Sequence, residues 1–276
     1  MTAFLKMHGL GNDFVVFDAR DAAITLTPAQ ARGLADRRFG IGCDTVVVIG
    51  PGGAEADASV RFFNADGGEI ESCGNASRCV ARLLIDERGL QRVRIASRAG
   101  LLFCSDAGQG QVEVDMGPPR LEWKDIPLVE QKDTLNFALN LEGQALPVSA
   151  ASMGNPHCLI FVPDAEKAPV ALLGPKIETH PLFPERTNVE FVSVLAPNRL
   201  RMRVWERGIG ITLACGTGAC AALVAAARLG KTGRVGEVVL DGGTLKIDWR
   251  ENDGHVIMTG PTALPFRGQV GLTKFG

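Results

Sequence analysis

The stretch Cys73-Gly74-Asn75-Ala76-Ser77-Arg78-Cys79 opens an apolar segment in the first half of the chain, and Cys215-Gly216-Thr217-Gly218-Ala219 opens a similar segment in the second half. The first cysteines of the two stretches are 142 residues apart. Asn64 precedes one of them by nine residues, and Glu206 precedes the other by the same distance. This spacing indicates that each half presents a cysteine at the same place in one fold unit.

The correspondence continues upstream of the cysteines. Gly11-Asn12-Asp13-Phe14 is matched 143 residues later by Gly154-Asn155-Pro156-His157, and the same offset pairs Thr45 with Asn188. Segments that recur in the same order at a nearly constant offset are the sequence signature of an internal repeat. The sequence therefore predicts two copies of one unit.

Each half is predicted to contain strands, one helix that begins near its cysteine, and further strands. The first helix is expected over residues 75–88 before Gly89, and the second over residues 217–229 before Gly230. Residues 218–227 have no polar side chain on any face, so we expect this segment to be buried on all sides. A helix enclosed by a sheet meets that requirement.

The predicted fold is α+β, because strand–helix–strand alternations are few. We expect two pseudo-symmetric domains, each a mixed, mostly antiparallel sheet wrapped around a central helix. The turn Gly117-Pro118-Pro119 is the expected boundary, and residues 127–143 are expected to form a variable connection. The first domain is then residues 1–117 with the tail 262–276, and the second is residues 118–261.

Composition and charge limit the class of function. A net charge of −2 and a pI near 6.1 give no electrostatic basis for binding nucleic acid or an anionic membrane. The first residues lack the basic and apolar regions of a secretory signal. Seven cysteines, an odd number, then favour thiols in a reducing cytoplasm over a disulfide framework.

A cysteine at the start of a helix lies where unpaired backbone N–H groups and the helix dipole favour negative charge. We therefore expect the thiol pKa of Cys73 and of Cys215 to fall toward neutrality. Two such thiols on either side of an α-carbon could remove its proton from one face and return it to the other. That chemistry needs no cofactor and no metal.

The other cysteines are more simply explained by packing. Cys79 and Cys220 fall inside the apolar helices, and Cys43, Cys104 and Cys158 lie in or beside strand-like segments. Their spacings do not match those of structural zinc sites, and the sequence contains no Cys-x-x-Cys pair. Zinc is therefore not expected.

Several polar residues have both a structural and a functional interpretation. Four asparagines could cap turns, but their repeat-matched positions favour hydrogen bonds to a ligand: Asn12, Asn64, Asn155 and Asn188. Glu206-Arg207 could be a surface ion pair, although its place before Cys215 favours a clamp for an ammonium and a carboxylate group. For His157, a turn residue and a site residue remain equally open.

These segments resemble those of the diaminopimelate epimerase family in order over nearly the whole chain. The similar segments are Met7-His8-Gly9-Leu10-Gly11-Asn12-Asp13-Phe14, Phe63-Asn64-Ala65-Asp66-Gly67, Gly154-Asn155-Pro156-His157, Glu185-Arg186-Thr187-Asn188, Glu206-Arg207-Gly208 and Ala214-Cys215-Gly216-Thr217-Gly218-Ala219. The resemblance implies a cytoplasmic homodimer of two-domain α+β subunits without a cofactor. It also implies interconversion of LL- and meso-diaminopimelate on the route to lysine and peptidoglycan.

The resemblance also implies roles for individual residues. Cys73 and Cys215 become the acid–base pair. The group expected to hold the reacting carboxylate is Gly74, Asn75, Gly216 and Thr217, and the group expected to position the substrate is Asn12, Asn64, Asn155, Asn188, Glu206 and Arg207, with His157 in support. Thr45 departs from the family, which often has Gln or Gly there, so any contact from Thr45 is expected to be weak.

Three alternatives are distinguished by particular residues. Proline and hydroxyproline racemases resemble Cys-Gly-His at the first thiol, whereas this chain has Cys73-Gly74-Asn75. A non-enzymatic amino-acid binding protein would not need two matched thiols. A pyridoxal-phosphate enzyme is the least favoured, because no lysine lies in the repeated segments.

Overall fold

The protein is described by a computed structural model that covers residues 1–71 and 73–275. The chain divides into two compact units: unit 1 comprises Met1–Val114 and Thr259–Gly276, and unit 2 comprises Asp115–Met258. None of the described helices is long and apolar enough to cross a membrane.

In the described residues, the chain forms a succession of strands interrupted by four α-helices and by two short 3-10 helices, Ala165–Lys167 and Leu272–Phe275. The elements up to the start of unit 2 are β1 (Thr2–Gly9), β2 (Asn12–Asp18), α1 (Pro28–Ala35), β3 (Thr45–Pro51), β4 (Ala58–Asn64), β5 (Glu69–Ile70), α2 (Gly74–Arg88), β6 (Arg92–Ser97), β7 (Gly100–Gly108) and β8 (Gln111–Asp115). Unit 2 continues with β9 (Phe137–Leu141), β10 (Gln144–Ser152), β11 (Pro156–Phe161), α3 (Val170–Glu178), β12 (Asn188–Ala196), β13 (Arg199–Glu206), β14 (Gly210–Ile211), α4 (Gly216–Arg228), β15 (Val235–Leu240) and β16 (Gly243–Trp249). The chain then passes through β17 (Val256–Pro261) back to unit 1, which it completes with β18 (Ala263–Val270).

The two units have the same strand connections. In unit 1, β1 and β2 are antiparallel, β2 and β3 are parallel, and β3 and β4 are antiparallel. Helix α2 then leads to β6, which is parallel to β4 and antiparallel to β7. Unit 2 repeats each step with β10 to β13, α4, β15 and β16.

The strand register confirms the duplication residue by residue. Phe14 pairs with Thr45 between β2 and β3, and His157 pairs with Asn188 between β11 and β12. These two pairs are related by the same offset of 143 residues that the sequence shows. The internal repeat is therefore a repeat of hydrogen-bonded topology as well as of sequence.

Helix α4 is enclosed by the strands of unit 2. It packs against β10, β11, β12, β13, β15 and β16, and every residue from position 218 to 226 is buried. The prediction of a helix buried on all sides is therefore confirmed. Helix α2 packs against β1, β2, β3, β6 and β7 but keeps one face in solvent, because its charged residues Arg82, Asp86 and Glu87 recur at helical spacing. Gly89 ends it in the left-handed conformation, with φ of 63°.

Helices α1 and α3 and strands β9 and β18 were not predicted from the sequence. Helix α1 begins with a capping box between Thr27 and Gln30, a signal that could have revealed it. Helix α3 contains Pro175, which hides its periodicity, and β9 lies inside the segment expected to be a variable connection. That segment is in fact part of the core, because β9 pairs with β10 and buries Phe137 and Leu139.

The tail returns to the first strand of unit 1. Strand β18 runs antiparallel to β1, with Thr2 opposite Val270 and Phe4 opposite Gly268. A Cβ atom added at Gly268 would lie only 2.6 Å from the nearest carbon of the Phe4 ring, which is closer than van der Waals contact allows. Because Gly268 has no side chain, β18 can pack directly against Phe4 of β1.

We expect helix α4 to tolerate added volume only where it faces solvent. Ala222→Leu adds three carbon atoms at a fully buried position and should lower the free energy of unfolding by about 1–3 kcal/mol. Ala227→Leu is the matched control, because Ala227 lies on the same helix and is partly exposed. Urea unfolding followed by circular dichroism measures both. Equal losses of stability would contradict an enclosed helix.

Candidate active site

Each of the two candidate catalytic cysteines is the N-cap residue of its unit's central helix. Cys73 has extended backbone angles before α2, and its carbonyl oxygen accepts hydrogen bonds from the Ser77 backbone N–H and hydroxyl, both at 2.9 Å. Cys215 has extended angles before α4. The prediction that both thiols stand at helix starts is therefore confirmed. The first turn of a helix leaves backbone N–H groups without intrahelical partners, so each cysteine lies beside donors suited to an anion.

In unit 1, a chain of amides connects Asn12 to the helix that Cys73 caps. Asn75 Nδ2 donates to Asn12 Oδ1 at 3.1 Å, and Arg78 Nη2 donates to Asn75 Oδ1 at 2.9 Å. Asn12 Nδ2 donates in turn to Asp44 Oδ2 at 2.9 Å. The structure thus brings together Asn12 and Asn75, both predicted from the sequence, and adds Asp44 and the fully buried Arg78.

Charged side chains hold Asp44 in place. Arg37 Nη2 donates to Asp44 Oδ1 at 2.8 Å and to Asp13 Oδ1 at 2.6 Å, and Lys6 Nζ donates to Asp13 Oδ2 at 2.6 Å. Burial raises the pKa of Asp13, but the hydrogen bonds from Arg37 and Lys6 outweigh it, and the pKa lies below its ordinary value. Asp13 is therefore ionised at neutral pH and fixes the loop that carries Asp44.

Thr45 and Asn64 are opposite each other on neighbouring strands of unit 1. They pair between β3 and β4, and Thr45 is buried whereas Asn64 is half-buried. Asn64 also closes the following turn, because its backbone N–H donates to Gly68 O and its carbonyl accepts from Gly67 N–H, each at 2.9 Å. The turn role and a ligand role for Asn64 are therefore compatible.

The sulfur of Cys215 has two hydrogen-bond partners in the first turn of its own helix. Gly218 N–H donates to Cys215 Sγ at 3.3 Å, and Thr217 Oγ1 lies 3.5 Å from the same sulfur. Burial nevertheless raises the pKa of the Cys215 thiol well above its ordinary value, and the charges of Glu206 and Glu190 raise it further. The expectation of a lowered pKa is wrong for Cys215, because the loss of hydration outweighs the donors at the helix start.

The buried side chain of His157 is hydrogen-bonded to other candidate residues of unit 2. Its Nε2 lies 3.0 Å from Asn155 Oδ1, and its Nδ1 lies 2.7 Å from Glu190 Oε1. Asn155 Nδ2 donates to Thr217 Oγ1 at 3.3 Å, which links His157 to the Cys215 helix. His157 is therefore a buried residue that is connected through Asn155 and Thr217 to the start of the Cys215 helix, and not an exposed turn residue. Glu190 was missed, because a single carboxylate within the apolar run of β12 leaves no pattern in the sequence.

Two buried side chains hold the turn that carries Glu206 and Arg207. Glu178 accepts hydrogen bonds from Trp205 Nε1 at 2.7 Å and from Gly208 N–H at 2.9 Å. Asn188 Oδ1 accepts from Arg207 N–H at 2.9 Å, and Asn188 Nδ2 donates to Pro156 O at 3.0 Å. Asn188 therefore joins this turn to the strand that carries His157.

The charged ends of Glu206 and Arg207 have different partners. Thr212 Oγ1 donates to Glu206 Oε1, whereas Arg207 Nη1 donates to the carbonyl oxygen of Glu185 at 3.0 Å. Both residues are half-buried. Since Arg207 bonds to a backbone carbonyl, its guanidinium keeps further donors for an acidic ligand.

The remaining cysteines are buried in the cores. Burial raises the pKa of Cys43 and of Cys79 to about 12, and it raises the pKa of Cys158 well above the ordinary value. Cys104 and Cys220 are also buried. Within residues 1–71 and 73–275, no group of three His, Cys, Asp or Glu side chains is arranged to hold a metal ion.

Solved structures share this fold at low sequence identity. A probable proline racemase from Agrobacterium radiobacter K84 superposes with a TM-score of 0.72 at 18% identity, covering 99% of this chain and 93% of the other. A hydroxyproline epimerase from Agrobacterium vitis gives a TM-score of 0.71 at 18% identity, with 98% and 92% covered. These likenesses establish the fold.

Sequence comparison is more specific. The family model described as diaminopimelate epimerase matches residues 4–122 and 149–265. The diaminopimelate epimerase of Phenylobacterium zucineum is 56% identical over 270 residues, 97% of each chain, and that of Acidiphilium cryptum is 53% identical over 267 residues, 97% of this chain and 95% of the other. At this identity and coverage, the chain belongs to the diaminopimelate epimerase family.

Proposed function

We propose that this protein interconverts LL- and meso-diaminopimelate by removing and returning the α-hydrogen, with Cys73 and Cys215 as the acid–base pair. The observation that carries the proposal is the matched placement of the two cysteines as N-cap residues of corresponding helices in topologically equivalent units. Family membership supports the substrate, because the relatives at 56% and 53% identity bear that enzyme's name. We likewise propose that units 1 and 2 are the two epimerase repeats.

The reaction removes one proton from one face of the α-carbon and adds one proton to the opposite face. In one direction, the Cys73 thiolate takes the α-hydrogen as a proton, so that the C–H bond breaks and an S–H bond forms. The Cys215 thiol then gives its proton to the other face of the carbanion and becomes a thiolate. The reverse direction exchanges the two roles. A raised pKa of Cys215 suits the acid role, because it keeps that thiol protonated at neutral pH.

The remaining candidate residues bind and orient the substrate. The N–H groups at the start of α2 and α4, around Gly74, Asn75, Gly216 and Thr217, suit the carboxylate that gains charge as the proton leaves. The polar set Asn12, Asn64, Asn155, Asn188, Glu206 and Arg207 suits the second ammonium and carboxylate of diaminopimelate. Asn188 also contributes to substrate binding by holding the backbone of Arg207 and Pro156, and Thr45 contributes only weakly to substrate binding.

Both proton transfers are performed by side chains of the chain itself, so we propose that the enzyme needs neither a metal nor pyridoxal phosphate. We also propose that it acts as a cytoplasmic homodimer without nucleic acid or membrane as partner. The net charge of −2 and the resemblance to the family support these assignments.

We expect the protein to exchange the α-hydrogen of diaminopimelate with deuterium oxide after exhaustive chelation and dialysis. Cys73→Ser and Cys215→Ser should each lower turnover by at least about a thousandfold, because either change removes one of the two proton carriers. Cys104→Ala, at a buried position on β7, is the matched control. Proton NMR measures the exchange.

Three results would contradict the proposal when the assay is extended to proline and other amino acids. Recovery of activity only on adding pyridoxal phosphate or metal would overturn the two-thiol mechanism. Comparable exchange of proline would favour the related racemases, and no exchange of any amino acid would favour a binding protein.

The Cys215 thiol should ionise at higher pH than an ordinary cysteine. In a Cys73→Ser background, the rate of alkylation by iodoacetamide should rise with pH and reach half its maximum above about pH 8.5, because burial favours the neutral thiol. Mass spectrometry of the peptide that contains residue 215 follows the reaction. The double variant Cys73→Ser/Cys215→Ser gives the level of alkylation at other positions, which is subtracted. A midpoint near neutrality would refute this assignment.

Asn188→Ala and Thr45→Ala should differ although the two residues are repeat partners. Loss of the Asn188 amide leaves Arg207 N–H and Pro156 O without their partner, which should cost about 1–3 kcal/mol of stability and raise KM through the Arg207 turn. Thr45→Ala should leave kcat nearly unchanged and raise KM only modestly. Steady-state kinetics and urea unfolding test both, and equal damage would contradict the difference.

A further inference from the structure

Glu190 is a buried carboxyl group in the middle of β12 whose contacts lead toward the site. Its side chain is fully buried, and Oε1 lies 2.7 Å from His157 Nδ1. Its other oxygen, Oε2, has no hydrogen-bond partner among the described residues. Loss of hydration raises the pKa of Glu190, while the contact with His157 opposes that rise. A buried carboxyl group with His157 as its single side-chain partner is unusual in a mostly apolar strand, because burial of such a group is costly.

The partners of His157 determine which of its nitrogens carries a proton. Asn155 Oδ1 is an amide oxygen and can only accept, so His157 Nε2–H must donate to it across 3.0 Å. The contact between Nδ1 and Glu190 Oε1 then holds one further proton, on either atom. In both arrangements the Glu190–His157 pair has no net charge, and the imidazole presents Nε2–H toward Asn155.

The donors continue in one direction from His157 to the sulfur. Asn155 Nδ2–H donates to Thr217 Oγ1 at 3.3 Å, which leaves the Thr217 hydroxyl proton available to Cys215 Sγ at 3.5 Å. Glu190 is also close to the helix start, because a Cβ on Gly218 would stand 2.8 Å from Glu190 Oε1 and 3.2 Å from Cys215 Sγ. Because the amide of Asn155 does not readily pass a proton on, this series of hydrogen bonds orients the donors and does not relay a proton.

We propose that Glu190 is a positioning residue for proton transfer at Cys215, acting by fixing His157 with Nε2–H donated to Asn155, so that Asn155 and Thr217 direct a donor at the sulfur. This inference rests on the proposed function for its kinetic consequence. Its structural content, the protonation and orientation of His157, stands without it.

A double-mutant cycle tests whether Glu190 acts through His157. Glu190→Leu keeps approximately the size of the side chain but offers His157 Nδ1 neither a hydrogen-bond donor nor an acceptor, so it no longer fixes the ring. We expect kcat for α-hydrogen exchange to fall by about tenfold or more with KM changed less than about threefold. In a His157→Gln background, the same substitution should cost less than about twofold. An equal loss in both backgrounds, or full activity of Glu190→Leu, would overturn the proposal.

Ser193→Ala is the matched control. Ser193 is buried on the same strand and accepts from Ala165 N–H, outside the chain of residues that leads to Cys215. We expect it to leave kcat and KM within about twofold of the wild type. A tenfold fall in kcat for Ser193→Ala would mean that β12 responds to any buried polar loss, and the Glu190 result would then count as structural.

Nitrogen-15 NMR of the histidines gives a readout that requires no substrate. In the wild type at neutral pH, the His157 signals, assigned by their loss in His157→Gln, should show a proton on Nε2. Glu190→Leu should shift the Nδ1 resonance, because Nδ1 loses its partner. An Nε2 without a proton in the wild type would refute the proposal even if Glu190→Leu does not fold. Absence of exchange by the wild type would contradict the proposed function alone, because the NMR result judges Glu190 separately.

Discussion

The enclosure of a helix start by strands is the constraint on which the rest of each unit depends. A cysteine at the N-cap can face a ligand only if the helix behind it is anchored, and in unit 2 the anchoring comes from burying α4 on all sides. Alanine and small residues make this possible, since they let the strands approach closely. The same burial that fixes the helix also removes water from Cys215, and its thiol pKa rises in consequence.

Enclosure creates a second requirement, because polar groups near a buried helix start must find partners within the protein. Unit 1 meets it with Asp44, Asn12, Asn75 and Arg78, and unit 2 with Glu190, His157, Asn155 and Thr217. The two chains of hydrogen bonds serve equivalent places in the repeat with different chemistry. Unit 1 uses an arginine and a carboxylate at the ends, whereas unit 2 contains a neutral carboxyl–imidazole pair. The duplication therefore preserved the strand register while the polar groups diverged.

The sequence predicted the elements that carry local signals. Helical patterns, together with Gly89 and Gly230, located the two central helices to within a few residues. The elements that were missed have weaker signals: α3 contains Pro175, and β9 lies in a segment rich in polar residues. Within the candidate site, cysteines, glycines and asparagines were recognised because they recur at one offset. Glu178, Glu190, Asp44 and Arg78 were not, since their significance depends on what they contact.

By itself, the sequence determined the duplication, the α+β class, the family and the two cysteines, because repeat offsets and motif residues are properties of the linear chain. The tertiary structure decided which polar side chains meet, and it reversed the expected pKa shift of Cys215. The physical reason is that a helix dipole can be inferred from the start of a helix, whereas desolvation depends on every residue that packs around the sulfur. Burial of Glu190 against His157, 33 positions earlier, is likewise set by the parallel pairing of β11 with β12, in which residues 31 positions apart are opposite each other.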